Sequence, residues 1–355
     1  MPKPSATPAA RAAAAEPLER GRWPDNPVLA RVWRGAHVES QHRGAWVLAE
    51  PSGAVRASAG DSRQPVFARS SVKSLQALPL IESGAAARFG FSDAEIALAL
   101  ASHSGEPCHV EAVAALLGRL GLSEADLQCG PQPPADPTAR LALEGAGLEP
   151  SRLHNNCSGK HAGFLALALH LGVDTARYLD PEAASQRRVR EAVEAMALAR
   201  PGEVTLAVDG CSAPTFRLPL ERLATALARV ANPADLPPER REACERMGRA
   251  VARHPELIAG SRKRLCTDLA RATGGRIFPK VGGEAVYALG VRGASLGLAI
   301  KIDDGSARAL APLVVELLAR LSLLAPGELE ALSAWRSGPL RNWAGLEVGR
   351  LEVLP

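Results

Sequence analysis

Residues 69–80 read RSSVKSLQALPL and mark the point where a strand-like sequence gives way to a helical one. Apolar residues recur at helical spacing after Ser70, which predicts a helix that Ser70 or Ser71 caps. Ser70 and Lys73 are three positions apart, so they share one face of that helix. A neutral Lys73 amine there could take the proton of the serine hydroxyl. The spacing also fits a capping serine followed by a solvated lysine, and it indicates chemistry only together with partner motifs.

Strand-like runs precede this stretch and helical runs follow it. The segments VLARVWRGAHVES, RGAWVLAE and GAVRASAG have the composition of an antiparallel meander. Helical patterns fill the middle of the chain, including SDAEIALALASHS, in which Ser92 and Glu95 form a capping box. Near the end, GRIFPKVGGEAVYALGV and ASLGLAIKIDDGS are predicted to be two strands, followed by a helix and a last strand, GRLEVLP. The pattern predicts an α+β fold whose chain ends share one antiparallel sheet, with a helical region between them.

Composition restricts the class of protein. The chain has 355 residues, of which 46% are hydrophobic, so it can bury a large core. The net charge of +4 comes from scattered basic and acidic residues, which argues against nucleic acid or a membrane as partner and favours small molecules. The six cysteines are widely spaced and form no C-x-x-C pair, so we expect thiols in a reducing compartment.

The first residues, MPKPSATPAARAAAAEPLER, are rich in alanine and proline but lack the apolar run of a signal peptide. We expect residues 1–24 to form a disordered leader and residues 25–355 to form one domain. No later segment reaches about 18 uninterrupted apolar residues, the length of a membrane span. The expected location is therefore the cytoplasm.

Three further stretches are polar where the surrounding pattern predicts burial or a tight turn. Residues 101–106, ASHSGE, follow an apolar helix and on their own fit a helix C-terminus. Residues 154–164, HNNCSGKHAGF, hold a cysteine, a lysine and a histidine within five positions, as in a functional site or in an Asn-rich turn before a helix. In VTLAVDGCSAPTF, a strand delivers Asp209 and Cys211 to its end, where catalytic loops sit.

Five motifs in the chain, RSSVKSLQ, ASHSGE, HNNCSGKHAGFL, VDGCSAPTF and PKVGGE, resemble in order and spacing those of the L-asparaginase II family of the thermolabile, rhizobial type. The resemblance extends from about Pro27 to Pro355. It implies a fold similar to serine β-lactamases and glutaminases. The S-D-N and K-T-G motifs of β-lactamases stand here only as SHS at 102–104 and KVG at 280–282, so that kinship bears on the fold alone.

The resemblance implies two Ser-Lys pairs, Ser70 with Lys73 and Ser102 with Lys280. Serine is a poor nucleophile while it holds its proton, and lysine is a base only if its pKa of about 10.4 falls towards neutrality. Two lysines that converge on one pocket would lower each other's pKa. A second serine between them could relay a proton to departing ammonia.

The resemblance also implies a zinc ion held by Cys157 and Cys211, with Lys160 nearby. Two thiolates suit zinc, and few protein ligands leave an open coordination position. Lysine is an uncommon ligand because it must first lose its proton. Without the resemblance, the two cysteines would be interpreted as ordinary buried thiols.

Three further residues are expected to face the substrate. His161 and Asp209 are predicted on the substrate side or behind the metal ligands. Arg69 is a candidate for binding a substrate carboxylate, because guanidinium binds carboxylate through two hydrogen bonds, but it also fits a solvated arginine.

The predicted activity is hydrolysis of L-asparagine to L-aspartate and ammonia through a β-aspartyl ester of Ser70, in a homodimer. A glutaminase or related amidohydrolase would use the same groups with a slightly longer pocket. A non-catalytic binding protein of this fold is the alternative from another class, although its expected feature, loss of a member of the two Ser-Lys pairs, is absent from the sequence.

Overall fold

The structure is a computed structural model and describes residues 24–354. The predicted leader, residues 1–24, lies outside the described residues apart from Pro24, so the leader stays a prediction. None of the described helices is both long enough and apolar enough to cross a membrane.

The strands of the described chain form two antiparallel sheets. Their bounds are β1 (Val28–Arg34), β2 (His37–Ala49), β3 (Val55–Ala59), β4 (Pro65–Phe67), β5 (Thr205–Val208), β6 (Pro214–Pro219), β7 (Ile277–Gly282), β8 (Val286–Val291), β9 (Leu296–Ile302), β10 (Pro339–Arg341) and β11 (Glu347–Val353). The large sheet has eight strands in the order β10-β11-β1-β2-β9-β8-β7, with β3 also paired to β2. The small sheet has the order β4-β6-β5.

Helices occupy most of the chain between β4 and β7. Their bounds are α1 (Lys73–Glu82), α2 (Ala85–Arg88), α3 (Asp93–Ala99), α4 (Pro107–Arg119), α5 (Pro137–Gly145), α6 (Ser158–His170), α7 (Ala184–Met196), α8 (Leu220–Ala231), α9 (Pro238–Arg253) and α10 (Leu265–Ala272). Two more, α11 (Leu310–Arg320) and α12 (Pro326–Ala331), precede the last strands.

The two ends of the chain meet in the large sheet, as predicted. Strand β1 pairs with β11, and Val32 lies opposite Leu351. The α+β prediction is therefore confirmed, with the chain ends in one antiparallel sheet and helices between them. The prediction of a single strand over residues 275–291 is wrong, because this stretch contains both β7 and β8. The turn between these strands includes Glu284 and Ala285, which adopt φ of 56° and 51°.

The predicted helix start at Ser70 also differs in detail. A 3-10 helix, Arg69–Val72, leads into α1, and neither serine caps it with its side chain. The Ser71 hydroxyl instead donates a hydrogen bond to the carbonyl of Ala68 at 2.6 Å. Ser70 lies in this 3-10 helix and Lys73 is the first residue of α1, so the two remain about one helical turn apart.

Helix α8 packs directly on the backbone of the large sheet. It crosses β8 and β9 at Gly290 and Gly297, which lie opposite each other in the sheet. A Cβ atom at Gly297 would lie 2.1 Å from the carbonyl oxygen of Ala224, and one at Gly290 would lie 2.2 Å from that of Leu227. Only glycine therefore permits this approach of helix to sheet.

We expect Gly297→Ala to lower the free energy of unfolding by about 1–3 kcal/mol, because the added methyl group collides with a helix carbonyl that cannot move alone. Gly118→Ala is the matched control. Gly118 is exposed in α4, a Cβ there meets no atom within 4 Å, and alanine favours a helix by about 1 kcal/mol. Urea unfolding of both variants measures the difference, and equal stabilities would contradict the packing argument.

Candidate active site

Two buried lysines and one buried serine come together from distant parts of the chain. Lys73 begins α1, Ser102 follows α3, and Lys280 lies in β7. All three are at most 5% exposed. Helix α3 begins with the predicted Ser92–Glu95 capping box, and the loop after its C-terminal end carries Ser102.

The hydroxyl of Ser102 lies between the two lysine amines. It accepts hydrogen bonds from Lys280 Nζ at 2.8 Å and from Lys73 Nζ at 3.1 Å. Lys73 Nζ also donates to the carbonyl of Ala101 at 2.5 Å and to the sulfur of Cys157 at 3.1 Å. One hydroxyl is therefore in position to exchange protons with either amine.

Ser70 is half-buried beside this group. Among the described residues its hydroxyl has no hydrogen-bond partner, and the Lys73 backbone N–H donates to the Ser70 carbonyl. The end of β7 packs against the 3-10 helix that carries Ser70, because a Cβ at Gly282 would lie 2.7 Å from the carbonyl of Ala68. The strand of Lys280 thus lies next to Ser70, while the predicted Ser70–Lys73 pair is not hydrogen-bonded in this conformation.

Burial shifts both lysines towards the neutral amine. The pKa of Lys73 is lowered chiefly by burial, while the charge of Cys157 opposes this shift and that of Lys160 adds to it. The pKa of Lys280 falls to about 7, again chiefly through burial and then through the charge of Lys73. Lys280 can therefore act as a base near neutral pH.

Two cysteines and a lysine form the floor of the site. Cys157, Cys211 and Lys160 are all at most 4% exposed, and Lys160 Nζ donates to the Cys211 sulfur at 3.1 Å. A hydrogen bond from Cys211 and the charges of the neighbouring lysines lower the pKa of Cys157. The same bond and burial raise the pKa of Cys211. Of the two sulfurs, that of Cys157 therefore loses its proton more readily.

The donor set fits zinc. Two buried sulfurs that can lose their protons are ligands that zinc prefers, and the lowered pKa of Cys157 favours that loss. Lys160 is an ammonium here, because the charges of Cys157 and Cys211 outweigh the lowering of its pKa by burial. It would have to lose a proton to become a third ligand, and an incoming cation favours that loss.

Arg69 and Asp209 form an ion pair at the mouth of the site. Arg69 Nε donates to Asp209 Oδ1 at 2.6 Å, and the arginine side chain is 30% exposed. Burial alone would raise the pKa of Asp209, but the bond and charge of Arg69 hold it below its ordinary value. Asp209 is therefore a carboxylate, and both residues lie where a small charged ligand could reach them.

His161 lies behind Lys160 and is neutral. Burial and the charges of Lys160 and Lys73 hold the pKa of His161 well below its ordinary value. Its Nδ1 contacts the hydroxyl of Tyr178 at 2.6 Å, and that hydroxyl accepts the backbone N–H of Gln128. Tyr178 is thus left to donate to Nδ1, so the ring proton stays on Nε2, which has no partner among the described residues.

Sequence reasoning missed Arg264 and Tyr178. Arg264 donates to the carbonyl of Ser102 at 2.8 Å and to the hydroxyl of Ser104 at 2.7 Å. It lies in the basic run SRKR, in which the letters alone do not distinguish an inward-facing arginine from a solvated one.

Another group of metal-type side chains lies outside this site. In the described part of the chain, three histidine, cysteine or acidic side chains converge only at Glu106, Cys108 and His109. Both ring nitrogens of His109 are occupied, Nδ1 by the N–H of Glu106 and Nε2 by the carbonyl of Glu256. This group therefore leaves no imidazole nitrogen for a metal.

Comparison with known proteins defines the family. The sequence model of the L-asparaginase II family matches residues 30–353, so the chain belongs to the L-asparaginase II family. It is thereby an amidohydrolase. No curated protein sequence matches the chain significantly.

Solved structures with a similar fold include a β-lactamase from Mycobacterium bovis, at 16% identity and a TM-score of 0.42, covering 78% of this chain and 94% of that one. The protein named Mglu, crystallised in its native form with NaCl, has 18% identity and a TM-score of 0.40, covering 79% of this chain and 60% of that one. A second native form of Mglu has 17% identity and a TM-score of 0.38, covering 84% and 68%.

Amide hydrolysis should rise with pH through about pH 7. The pKa of Lys280 is lowered to about 7, so its amine accepts a proton only above that pH. Lys280→Arg should be inactive at every pH, because guanidinium stays protonated. Lys263→Arg, at an exposed lysine, should keep the wild-type profile. A flat kcat profile from about pH 6 to 9, with an active Lys280→Arg enzyme, would exclude Lys280 as a base.

Proposed function

We propose that the protein is an L-asparaginase that hydrolyses L-asparagine to L-aspartate and ammonia, with Ser70 as the nucleophile. The observation that carries this proposal is the hydroxyl of Ser102, held between the amines of Lys73 and Lys280 beside the 3-10 helix of Ser70. Family membership supplies the reaction class, and this group supplies the proton acceptors and donors that amide hydrolysis needs.

In the first step, the Ser70 oxygen attacks the side-chain amide carbon, and its proton passes to Lys73. For this the Lys73 amine must be neutral, so it keeps at most two of the three hydrogen bonds that it donates here. Ser102 then gives its proton to the leaving nitrogen and is reprotonated by a lysine, so ammonia departs and an ester remains. In the second step, water attacks the ester carbon and gives a proton to a lysine amine, and Ser70 leaves with a proton. The free Ser70 hydroxyl supports this sequence, because no existing hydrogen bond must break before it turns towards substrate.

The charged ends of asparagine match the charged groups at the mouth of the site. The carboxylate of Asp209 suits the α-ammonium, and Arg69, whose Nε alone is bonded to Asp209, keeps its terminal nitrogens for the α-carboxylate. The Nε2–H of His161 is a buried donor without a partner among the described residues and suits a substrate oxygen. These groups hold the reacting amide still, which is what catalysis by positioning requires.

We further propose that Cys157 and Cys211, with Lys160, hold a zinc ion. When bound, zinc would supply a fixed positive charge for orienting the substrate. The support is the donor set, because two buried cysteine sulfurs, one with a lowered pKa, are ligands that zinc prefers.

A cytoplasmic homodimer is also part of the proposal. All six cysteines are free thiols, which supports a reducing compartment. Val208, 79% exposed beside Asp209, and the fully exposed Trp343 are apolar side chains that a second copy could cover. Sedimentation equilibrium measures the oligomeric state.

Ser70→Ala should abolish ammonia release from L-asparagine by at least about a thousandfold, because the nucleophile is lost. Ser71→Ala is the matched control. The Ser71 hydroxyl is bonded to Ala68, so its loss should cost about 1 kcal/mol of stability and change kcat less than about threefold. The assay compares L-asparagine with L-glutamine at equal concentrations. A higher kcat/KM for glutamine would overturn the substrate assignment. An inactive Ser71→Ala with an active Ser70→Ala would overturn the assignment of Ser70 as the nucleophile.

Purified protein should carry about one zinc per chain, and Cys211→Ser should lose it, because a hydroxyl is a much poorer zinc ligand than a thiolate. Cys244→Ser, at a thiol buried in α9, should keep the metal. Elemental analysis measures the metal, and labelling of Ser70 by a fluorophosphonate tests the metal-free enzyme, which should still react. Metal-free wild type whose kinetics do not change when zinc is added would show that the cysteines are structural thiols.

A further inference from the structure

The guanidinium of Arg264 binds the loop that carries Ser102. Its two terminal nitrogens donate to the carbonyl of Ser102 at 2.8 Å and to the hydroxyl of Ser104 at 2.7 Å. Both acceptors lie in the loop between α3 and α4. A planar guanidinium that reaches two acceptors fixes their relative position, which a flexible ammonium does not do.

The same loop is bonded to the segment that precedes Arg264. The N–H of Ser102 donates to the carbonyl of Ile258 at 3.0 Å, and the hydroxyl of Ser104 donates to the carbonyl of Ala259 at 2.9 Å. These are neutral hydrogen bonds. Arg264 adds the charge-assisted bonds, which are roughly twice as strong.

We propose that Arg264 is a positioning residue for Ser102, holding its backbone so that the hydroxyl stays between Lys73 and Lys280. This inference rests on the proposed function, because it concerns the proton relay of that site. The arginine donates to the backbone of Ser102 rather than to its hydroxyl, so it acts on the relay through the loop. A displacement of about 1 Å in a catalytic group can cost a hundredfold in rate. The two hydrogen bonds that Arg264 donates to the Ser102 loop therefore affect turnover.

Arg264 is also a permanent charge near Lys280. The charged and titratable groups that act on Lys280 are Lys73 from α1, Cys266 and Arg264 at the start of α10, and Cys157 before α6. Burial and Lys73 lower the pKa of Lys280 most, and Arg264 lowers it further. Loss of Arg264 should therefore move the alkaline rise of activity to higher pH.

A cavity beside Arg264 makes the inference testable by chemical rescue. The cavity holds about 260 Å³ and is lined by Arg264 together with Cys266, Tyr287 and Trp335. Truncation of Arg264 to alanine would enlarge this cavity up to the carbonyl of Ser102. A free guanidinium ion could then occupy the place of the missing side chain.

The experiment compares Arg264→Ala with Arg262→Ala. Arg262 lies in the same basic run, but its guanidinium is 56% exposed and pairs with Asp136. Arg264→Ala should lower kcat for asparagine by about a hundredfold with a smaller change in KM, and millimolar guanidinium should restore at least about tenfold. The pH at which the activity of Arg264→Ala rises should be higher than in the wild type. Arg262→Ala should keep the wild-type kcat and pH profile and should not respond to guanidinium.

Arg264→Ala that folds like wild type and keeps kcat within about twofold, with the same alkaline limb, would overturn the inference. So would a loss of kcat that guanidinium does not restore, because the side chain would then only fill space.

If Arg264→Ala does not fold, Arg264→Lys replaces it. That variant keeps the positive charge but cannot hold both acceptors in a fixed geometry. Its activity should therefore rise at the same pH as in the wild type, and its kcat should fall about tenfold. An unchanged kcat would overturn the inference.

A different result would contradict the proposed function itself. A wild type inactive on both amides would contradict it, and the rate of Ser70 labelling by a fluorophosphonate would then test Arg264 without any substrate. Slower labelling of Arg264→Ala, restored by guanidinium, is the expected result. Equal labelling of Arg264→Ala and wild type would overturn the positioning role.

Discussion

The site depends on the burial of three lysines within one group of contacts. An ammonium taken out of water is costly unless it is paired or loses its proton. Lys160 donates to the sulfur of Cys211 and is stabilised by the charge of Cys157, whereas Lys280 donates to two neutral oxygens and has a pKa lowered to about 7. Lys73 stands between these cases, with one sulfur and two oxygens as acceptors. Because their hydrogen-bond partners differ, the three amines differ in how strongly they hold a proton.

Cys157 joins what the sequence presents as two separate groups. Its sulfur accepts from Lys73 and lies in hydrogen-bond contact with Cys211, so the Ser-Lys group and the cysteine pair share an atom. A change of charge at the cysteines therefore acts directly on the amine beside Ser102. A substitution of Cys157 should therefore affect both the Lys73 amine and the metal ligands, whereas one of Cys211 removes no hydrogen bond of Lys73.

Local features of the fold were predictable from the sequence, and contacts between distant residues were not. The Ser92–Glu95 capping box is a local contact within one helical turn, and the periodic strands at the chain ends indicate the shared sheet. Lys73, by contrast, reaches acceptors 29 and 84 positions away, and Arg264 reaches one 162 positions away, which no spacing rule predicts. The β7–β8 turn was missed because Glu284 and Ala285 adopt a backbone conformation that their side chains disfavour.

The contact of α8 with Gly290 and Gly297 has a consequence for how the protein can change. Because helix and sheet touch through backbone atoms there, their separation does not depend on the volume of any side chain. Substitutions among the leucines and valines elsewhere in the core can alter stability without altering this distance. Strand β8, which pairs with the Lys280 strand β7 and places Gly290 opposite Phe278, is therefore held at a distance from α8 that such substitutions do not set.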